Sequence, residues 1–173
     1  EMVRFDSSIL AIAMDPQNSQ HLYLSTPSEL FEPNDGGERW LSIQISQCPK
    51  ISSLKIDSRN VKTLFAVDGG YLDNACSGGV YKSTDGGISW SNLNLQVKDL
   101  GLHEFDMAGD FLYLEGTPEA KVYVSSNGGL TWAAPINPGG YRCIALAVDP
   151  ADGKTAFCAL EANHGTFMMG TSN

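Results

Sequence analysis

The chain's three tryptophans all close one short pattern. It reads Pro33-Asn34-Asp35-Gly36-Gly37-Glu38-Arg39-Trp40, then Ser83-Thr84-Asp85-Gly86-Gly87-Ile88-Ser89-Trp90, then Ser125-Ser126-Asn127-Gly128-Gly129-Leu130-Thr131-Trp132. The copies stand about 50 and then about 42 residues apart, the length of a unit of four short strands. A period of that size confines the chain to one supersecondary unit used several times.

The segments ahead of each pattern repeat too. Residues 9–16 (ILAIAMDP) match residues 143–150 (CIALAVDP), and more loosely residues 51–58 (ISSLKIDS). A polar turn and a second apolar run follow each one, at residues 21–26, 63–67 and 155–160. A third run leads into the glycine pair, at residues 29–31, 80–82 and 121–124. Apolar runs this short, bounded by Asp, Pro, Asn and Gly, read as strands, and nothing sustains a helical period. Hydrophobic residues at 42% and charged residues at 18% suit a packed core. The expected fold is all-β: four-stranded antiparallel β-propeller blades in one domain over 1–173. The blades fall at about 8–46, 50–96, 102–137 and 142–173. In the last, residues 166–169 supply a third strand and residues 171–173 begin another copy of the pattern, so the chain is expected to stop inside a repeat.

The pattern resembles the Asp box of the BNR repeat family, Ser/Thr-x-Asp-x-Gly-x-x-Trp. That box occurs in sialidases, xyloglucan-active glycoside hydrolases, sortilin-like receptors and photosystem II assembly factors. The resemblance implies a β-propeller, with the boxes on the blade periphery away from the ligand face. Its carriers here are Asp35, Gly37 and Trp40; Ser83, Asp85, Gly87 and Trp90; and Ser125, Asn127, Gly129 and Trp132. The chemistry agrees with a structural role. Asp85 accepts from turn amides, the glycines allow positive φ at the reversal, and Trp90 packs against the core. Asn127 keeps the acceptor without the charge, whereas Pro33 removes a hydroxyl and with it one hydrogen bond. A calcium loop needs several acidic ligands, and each box offers one or none.

A net charge of −9 repels phosphate backbones and anionic lipid surfaces, so neither nucleic acid nor membrane is an expected partner. No run approaches the roughly 20 apolar residues of a membrane helix. The N-terminus lacks a signal-peptide layout, and any such signal is expected to have been removed. Loops opposite the boxes form the ligand side, with candidates Tyr71, Asp73, Asp99, Glu115, Glu119, Tyr141, Arg142, Glu161 and His164; Asp6 and Asn74 lie on the same side. The set is rich in carboxylates, as a glycosidase requires, and a solvated acidic rim is the simpler reading. The sialidase arginine clamp is missing: Arg39 and Arg59 fall on the box side, leaving Arg4 and Arg142. His21, His103 and His164 lack metal-ligand spacing and read as structural or surface residues. No metal or other cofactor is expected.

The preferred function is a non-catalytic binding or scaffold propeller for a protein or glycan; the alternative is a glycoside hydrolase of the xyloglucan-active type. Turn and box sequences resemble those hydrolases and sortilin-like receptors more than sialidases. Cys48 with Cys76, and Cys143 with Cys158, are placed for disulfides in an exported protein, extracellular or periplasmic; four buried thiols in a cytosolic one is the competing reading. A full ring of six to eight blades needs roughly 270–360 residues. The chain is therefore expected to take its remaining blades from another chain or to homo-oligomerise, and closure of a four-bladed ring is the least favoured outcome.

Overall fold

The computed structural model describes residues 6–27, 29–33, 40–43, 51–69, 79–93, 95, 102–116, 121–137, 139, 141–162 and 165–172. Its strands are β1 (Ala11–Met14), β2 (Leu22–Ser25), β3 (Leu30–Pro33), β4 (Trp40–Ile43), β5 (Ile51–Ile56), β6 (Leu64–Asp68), β7 (Gly79–Ser83), β8 (Ser91–Asn92), β9 (Leu102–Ala108), β10 (Phe111–Gly116), β11 (Lys121–Ser125), β12 (Arg142–Val148), β13 (Thr155–Ala162) and β14 (Gly165–Ser172). No helix occurs among the described residues. Strands pair antiparallel with their sequence neighbours, in sheets ordered β1-β2-β3-β4, β5-β6-β7-β8, β9-β10-β11 and β12-β13-β14. Ile136 adds a short fourth pairing to the third sheet, exchanging both backbone hydrogen bonds with Val122. The fold is all-β and built of propeller-type sheets.

The chain divides into two compact units, Glu1–Asp99 and Leu100–Asn173. In the first, Ala13, Tyr23 and Leu30 of one sheet pack on Ile51, Leu54, Leu64 and Ala66 of the next, with Ile43 and Trp90 partly buried against them. The Ser25 hydroxyl donates to the Ile51 carbonyl across the same interface at 2.8 Å. In the second unit, Tyr113, Val122 and Val124 pack on Val148 and Ala156. There the Tyr113 hydroxyl donates to the Lys154 carbonyl at 3.1 Å, and the Val148 amide donates to Asp106 at 2.8 Å.

The repeated aspartate between the first and second strands has a mechanical explanation. Asp15, Asp57 and Asp149 each accept the amide two residues on, at 2.8, 2.9 and 2.8 Å. Each also gives its own amide to the carbonyl that opens the return strand: His21, Thr63 and Thr155. A short side-chain acceptor thereby replaces the backbone partner that the turn removes. Asp57 is gripped further by a two-pronged contact from Arg59, at 3.1 and 2.9 Å.

The glycine-pair turns are cross-braced in the same way. Ser83 Oγ donates to Asp85 Oδ1 at 2.8 Å and accepts the Gly87 amide at 2.8 Å. Asp85 then takes the Ser89 amide at 2.9 Å and its hydroxyl at 2.6 Å. These Ser89 bonds, together with Ser83, hold the Asp85 carboxyl down at about 2. Ser125, Asn127, Gly129 and Thr131 repeat the arrangement with an amide in place of the carboxylate. Gly86 and Gly87 have φ of 77° and 90°, so the reversal runs through the left-handed region that glycine tolerates. Trp90 donates its indole N–H to the Gly87 carbonyl at 2.8 Å. The tryptophans were expected at buried positions, but all three are only half-buried. For Trp90 the reason is visible: its nitrogen reaches back to the turn while its ring packs against the core cluster. Asp35 and Gly37 of the first box lie outside the described residues, as does the hydrogen bond expected to be missing beside Pro33.

Gly153 marks the tightest approach among the described glycines. Its φ is 68°, and a Cβ there would sit 2.7 Å from the Ala108 carbonyl oxygen and 2.8 Å from Phe111 Cδ2. Gly153→Ala is expected to cost about 1–3 kcal/mol in denaturant unfolding, through backbone strain together with the clash. Gly139→Ala is the control, since its φ is 81° but a Cβ meets nothing nearer than the Tyr141 ring at 3.6 Å. It should lose less; equal losses would show that the clash contributes nothing.

Candidate functional site

In the second and third sheets the first-to-second-strand turn and the glycine-pair turn share one end of the sheet. Gly86 donates to the Lys62 carbonyl at 2.9 Å, and Gly128 to the Asp110 carbonyl at 2.8 Å. The other end carries the remaining connections. Tyr71, Asp73, Asp99, Glu119 and His164 lie outside the described residues, as do Asn74, Cys48 and Cys76. Asp6 is described and exposed. The second unit gathers the other four candidates at this end. Arg142 opens β12 and faces Glu161 across the ladder to β13, and both are exposed. Tyr141, next to Arg142, is exposed as well. Glu115 lies near the end of β10, paired with Val122.

Glu115 departs from the expectation of a solvated acidic rim: it is completely buried. The cause is register. Glu115 opposes Val122 just as Ser25 opposes Leu30 in the first sheet, and both positions face the following sheet. Ser25 spends its hydroxyl on the Ile51 carbonyl, whereas neither carboxyl oxygen of Glu115 has a hydrogen-bond partner among the described residues. Burial pushes this carboxyl up to about 7; Arg142 works against the rise and Glu104 adds to it. Glu115 therefore keeps its proton far above the usual carboxylate range, with the Arg142 charge working against it. The irregular pairing of β9 with β10 beside Glu115 brings Glu104 into its field. Strand alternation in the sequence carries no sign of that shift.

The first unit contains a polar cluster absent from the candidate set. The His21 ring nitrogens lie 3.3 Å from Asp15 Oδ2 and 2.8 Å from Glu32 Oε1. The Tyr23 hydroxyl reaches the Gly86 carbonyl at 3.0 Å and Glu32 Oε1 at 3.5 Å. Burial would raise the Asp15 carboxyl, but the Gln17 amide, His21 and the Asn18 amide outweigh it and hold the group low. Burial, reinforced by the Glu32 charge, pushes the Tyr23 phenol well above its ordinary range. The two carboxylates flank opposite nitrogens of one imidazole, so they do not converge on a common point. No group of three or more His, Cys, Asp or Glu able to hold a metal occurs among the described residues. The cluster ties three strands to the glycine-pair turn, and only the His21 spacing to Asp15 hinted at it. An open groove of about 500 Å³ also runs between β1 and β5, with Leu10, Ile12 and Met14 on one wall and Ser52, Lys55 and Ser58 on the other.

Cys143 and Cys158 are bonded to each other, with Cα atoms 5.8 Å apart, and no cysteine among the described residues is free. The bond closes a 15-residue separation, a loop length whose closure is worth about 3 kcal/mol in the chain-entropy account. It clamps β12 to β13 close to Arg142 and Glu161.

Glu115 carries a pH signature. Its ordinary value of 4.5 rises to about 7 in the fold, so between these limits the folded chain keeps a proton that the unfolded chain releases. The stability contributed by Glu115 should be full below pH 4.5 and fall by about 2–3 kcal/mol as pH rises to 7. Denaturant midpoints measured across this interval are expected to slope for the natural chain and to flatten for Glu115→Gln. An unchanged slope in the variant would assign the effect to other groups.

No protein-family model and no curated protein matches the chain. Solved structures do. The GH74 enzyme of Niastella koreensis superposes with a TM-score of 0.71 at 19% identity, over 95% of this chain and 28% of that one. The GH74 xyloglucanase of Xanthomonas campestris gives 0.72 at 13%, over 96% and 29%. The extracellular domain of a hybrid two-component system of B. thetaiotaomicron gives 0.69 at 10%, over 100% and 23%. The chain thus spans less than a third of the length of each, and at these identities the likeness is one of fold: propeller sheets of the kind these proteins contain.

Proposed function

We propose that this chain is a binding portion of a β-propeller of the Asp-box kind, which holds a protein or carbohydrate segment at the end where Tyr141, Arg142 and Glu161 emerge. One observation carries the reading: an exposed aromatic, a cation and a carboxylate stand together on a disulfide-clamped sheet end. An aromatic face stacks on sugar rings or on peptide side chains, and the two charges supply directional hydrogen bonds. Rigid strands keep the three groups in place before the ligand arrives, which lowers the entropy lost on binding. The Cys143–Cys158 bond favours an oxidising compartment, so the proposed location is extracellular or periplasmic.

A second reading rests on Glu115. A carboxyl that keeps its proton near pH 7 is suited to general acid chemistry, and GH74 enzymes are among the similar folds. Its complete burial supports the binding reading over this one, because a polymer does not reach the group in this conformation.

Xyloglucan oligosaccharides and a peptide array are the probes. Tyr141→Ala is expected to weaken the binding of whichever class is retained by about tenfold, and Arg142→Ala to weaken it further at low salt. Unchanged affinity in both variants would remove this surface from consideration. Release of reducing ends from xyloglucan, abolished by Glu115→Gln, would establish the hydrolase reading instead.

A further inference from the structure

Asn127–Gly128 is the one place in the chain where glycine follows asparagine. That pairing carries a reaction of its own, and asparagine is among the thermolabile residues. The backbone nitrogen after an asparagine can attack the side-chain amide carbon, and a Cβ on the attacking residue hinders the approach. Gly128 has no Cβ. Asn127 is exposed, so water reaches its amide.

The fold holds both reacting groups. The Gly128 N–H donates to the Asp110 carbonyl at 2.8 Å, which retains the proton that the nitrogen loses when it attacks. The Asn127 amide is fixed at three points. Its oxygen accepts the Thr131 amide at 2.9 Å and the Ser125 hydroxyl at 3.0 Å, and its nitrogen donates to Thr131 Oγ1 at 2.8 Å. All of these groups belong to the second compact unit. Attack therefore requires the turn to open locally.

We propose that Asn127 is a site of spontaneous deamidation, which the closed glycine-pair turn holds back and local opening releases. The Gly128 nitrogen forms a bond to Asn127 Cγ, its proton leaves with the side-chain nitrogen as ammonia, and a cyclic imide remains. Water then opens the imide. Cleavage of the new bond leaves aspartate at position 127. Cleavage of the original peptide bond leaves isoaspartate, whose main chain runs through the side-chain carbons.

The two products act differently on the third sheet. Aspartate rebuilds the arrangement of the second sheet, where Asp85 takes the Ser89 amide at 2.9 Å, the Ser89 hydroxyl at 2.6 Å and the Ser83 hydroxyl at 2.8 Å. Isoaspartate lengthens the main chain by a carbon between Ser125 and Gly129. The Gly129 amide then loses its fit to Ser125 Oγ, now at 2.9 Å, and the Gly128 amide its fit to Asp110. The turn comes undone where it braces the sheet.

Peptide mapping by mass spectrometry tests this on the full chain, aged in mildly alkaline buffer with and without guanidinium chloride. In denaturant Asn127 should convert ahead of every other asparagine, and in the folded chain at least about tenfold more slowly than in denaturant. Thr131→Val, at an exposed position, removes the partner of Asn127 Nδ2. It should speed conversion of the folded chain and leave the rate in denaturant unchanged. Gly128→Ala, read in denaturant where folding is not at issue, should suppress the reaction. Asn127→Asp should keep the natural unfolding midpoint, whereas the chain aged to its isoaspartyl form and refolded should unfold earlier. Equal conversion of folded and denatured chains overturns the proposal, as does an Asn127 that stays intact in denaturant. A folded Thr131→Val chain that converts no faster than the natural one also overturns it, and equal midpoints for the two products overturn their separate effects on the sheet.

Discussion

A four-stranded sheet has two faces, and strands this short bury almost nothing unless each face lies on another sheet. That constraint organises the molecule. Tyr23 and Tyr113 occupy equivalent positions and do equivalent work: each lays its ring across the next sheet and hands its hydroxyl to a backbone carbonyl there, Gly86 in one unit and Lys154 in the other. An aromatic of this size buries a large apolar area at the contact, and the hydroxyl fixes its register. Hydrogen bonds within a sheet determine strand order; stacking determines which residues end up in the core.

The turns make stacking possible by holding the strand ends at fixed spacing. Each of the turn aspartates Asp15, Asp57 and Asp149 bonds the amide two residues on, and the glycine-pair turns at Ser83 and Ser125 are braced by a serine hydroxyl that both donates and accepts. The replacement of Asp85 by Asn127 in the third sheet shows which property the position needs. Both offer an oxygen to the residue four places on, and the charge itself is dispensable. Trp90 then couples the turn to the core, its indole nitrogen donating to the Gly87 carbonyl and its ring packing on the cluster.

Function and stability pull apart at Glu115. The equivalent position in the first sheet carries a serine that satisfies itself on the neighbouring strand, whereas the third sheet places a carboxyl there with no partner among the described residues. Burying an acid in this way costs stability once the unfolded chain can ionise, and retains a proton at a pH where ordinary carboxylates have lost theirs. Arg142 stands beside it at the strand end, clamped by the Cys143–Cys158 bond and facing Glu161. Groups of both charges and an exposed tyrosine are thus held on one rigid edge.

Much of this was legible in the sequence because it depends on local chemistry. The recurrence of Asp-Gly-Gly and Trp, the apolar runs and the turn aspartates each report a constraint satisfied within a few residues, so all-β blades of four strands follow from reading along the chain. The neighbourhood of a side chain is different in kind. Glu115 looks like any loop-flanking carboxylate until β10 is stacked on the next sheet, and His21 looks solitary until Asp15 and Glu32 arrive on neighbouring strands. Met168 and Met169 are neighbours in one strand, yet Met168 is exposed and Met169 packs on the Cys143, Cys158 and Leu160 cluster. Local hydrogen bonding selects the strands and turns; burial depends on contacts between residues far apart in the chain, and only the packed sheets decide those.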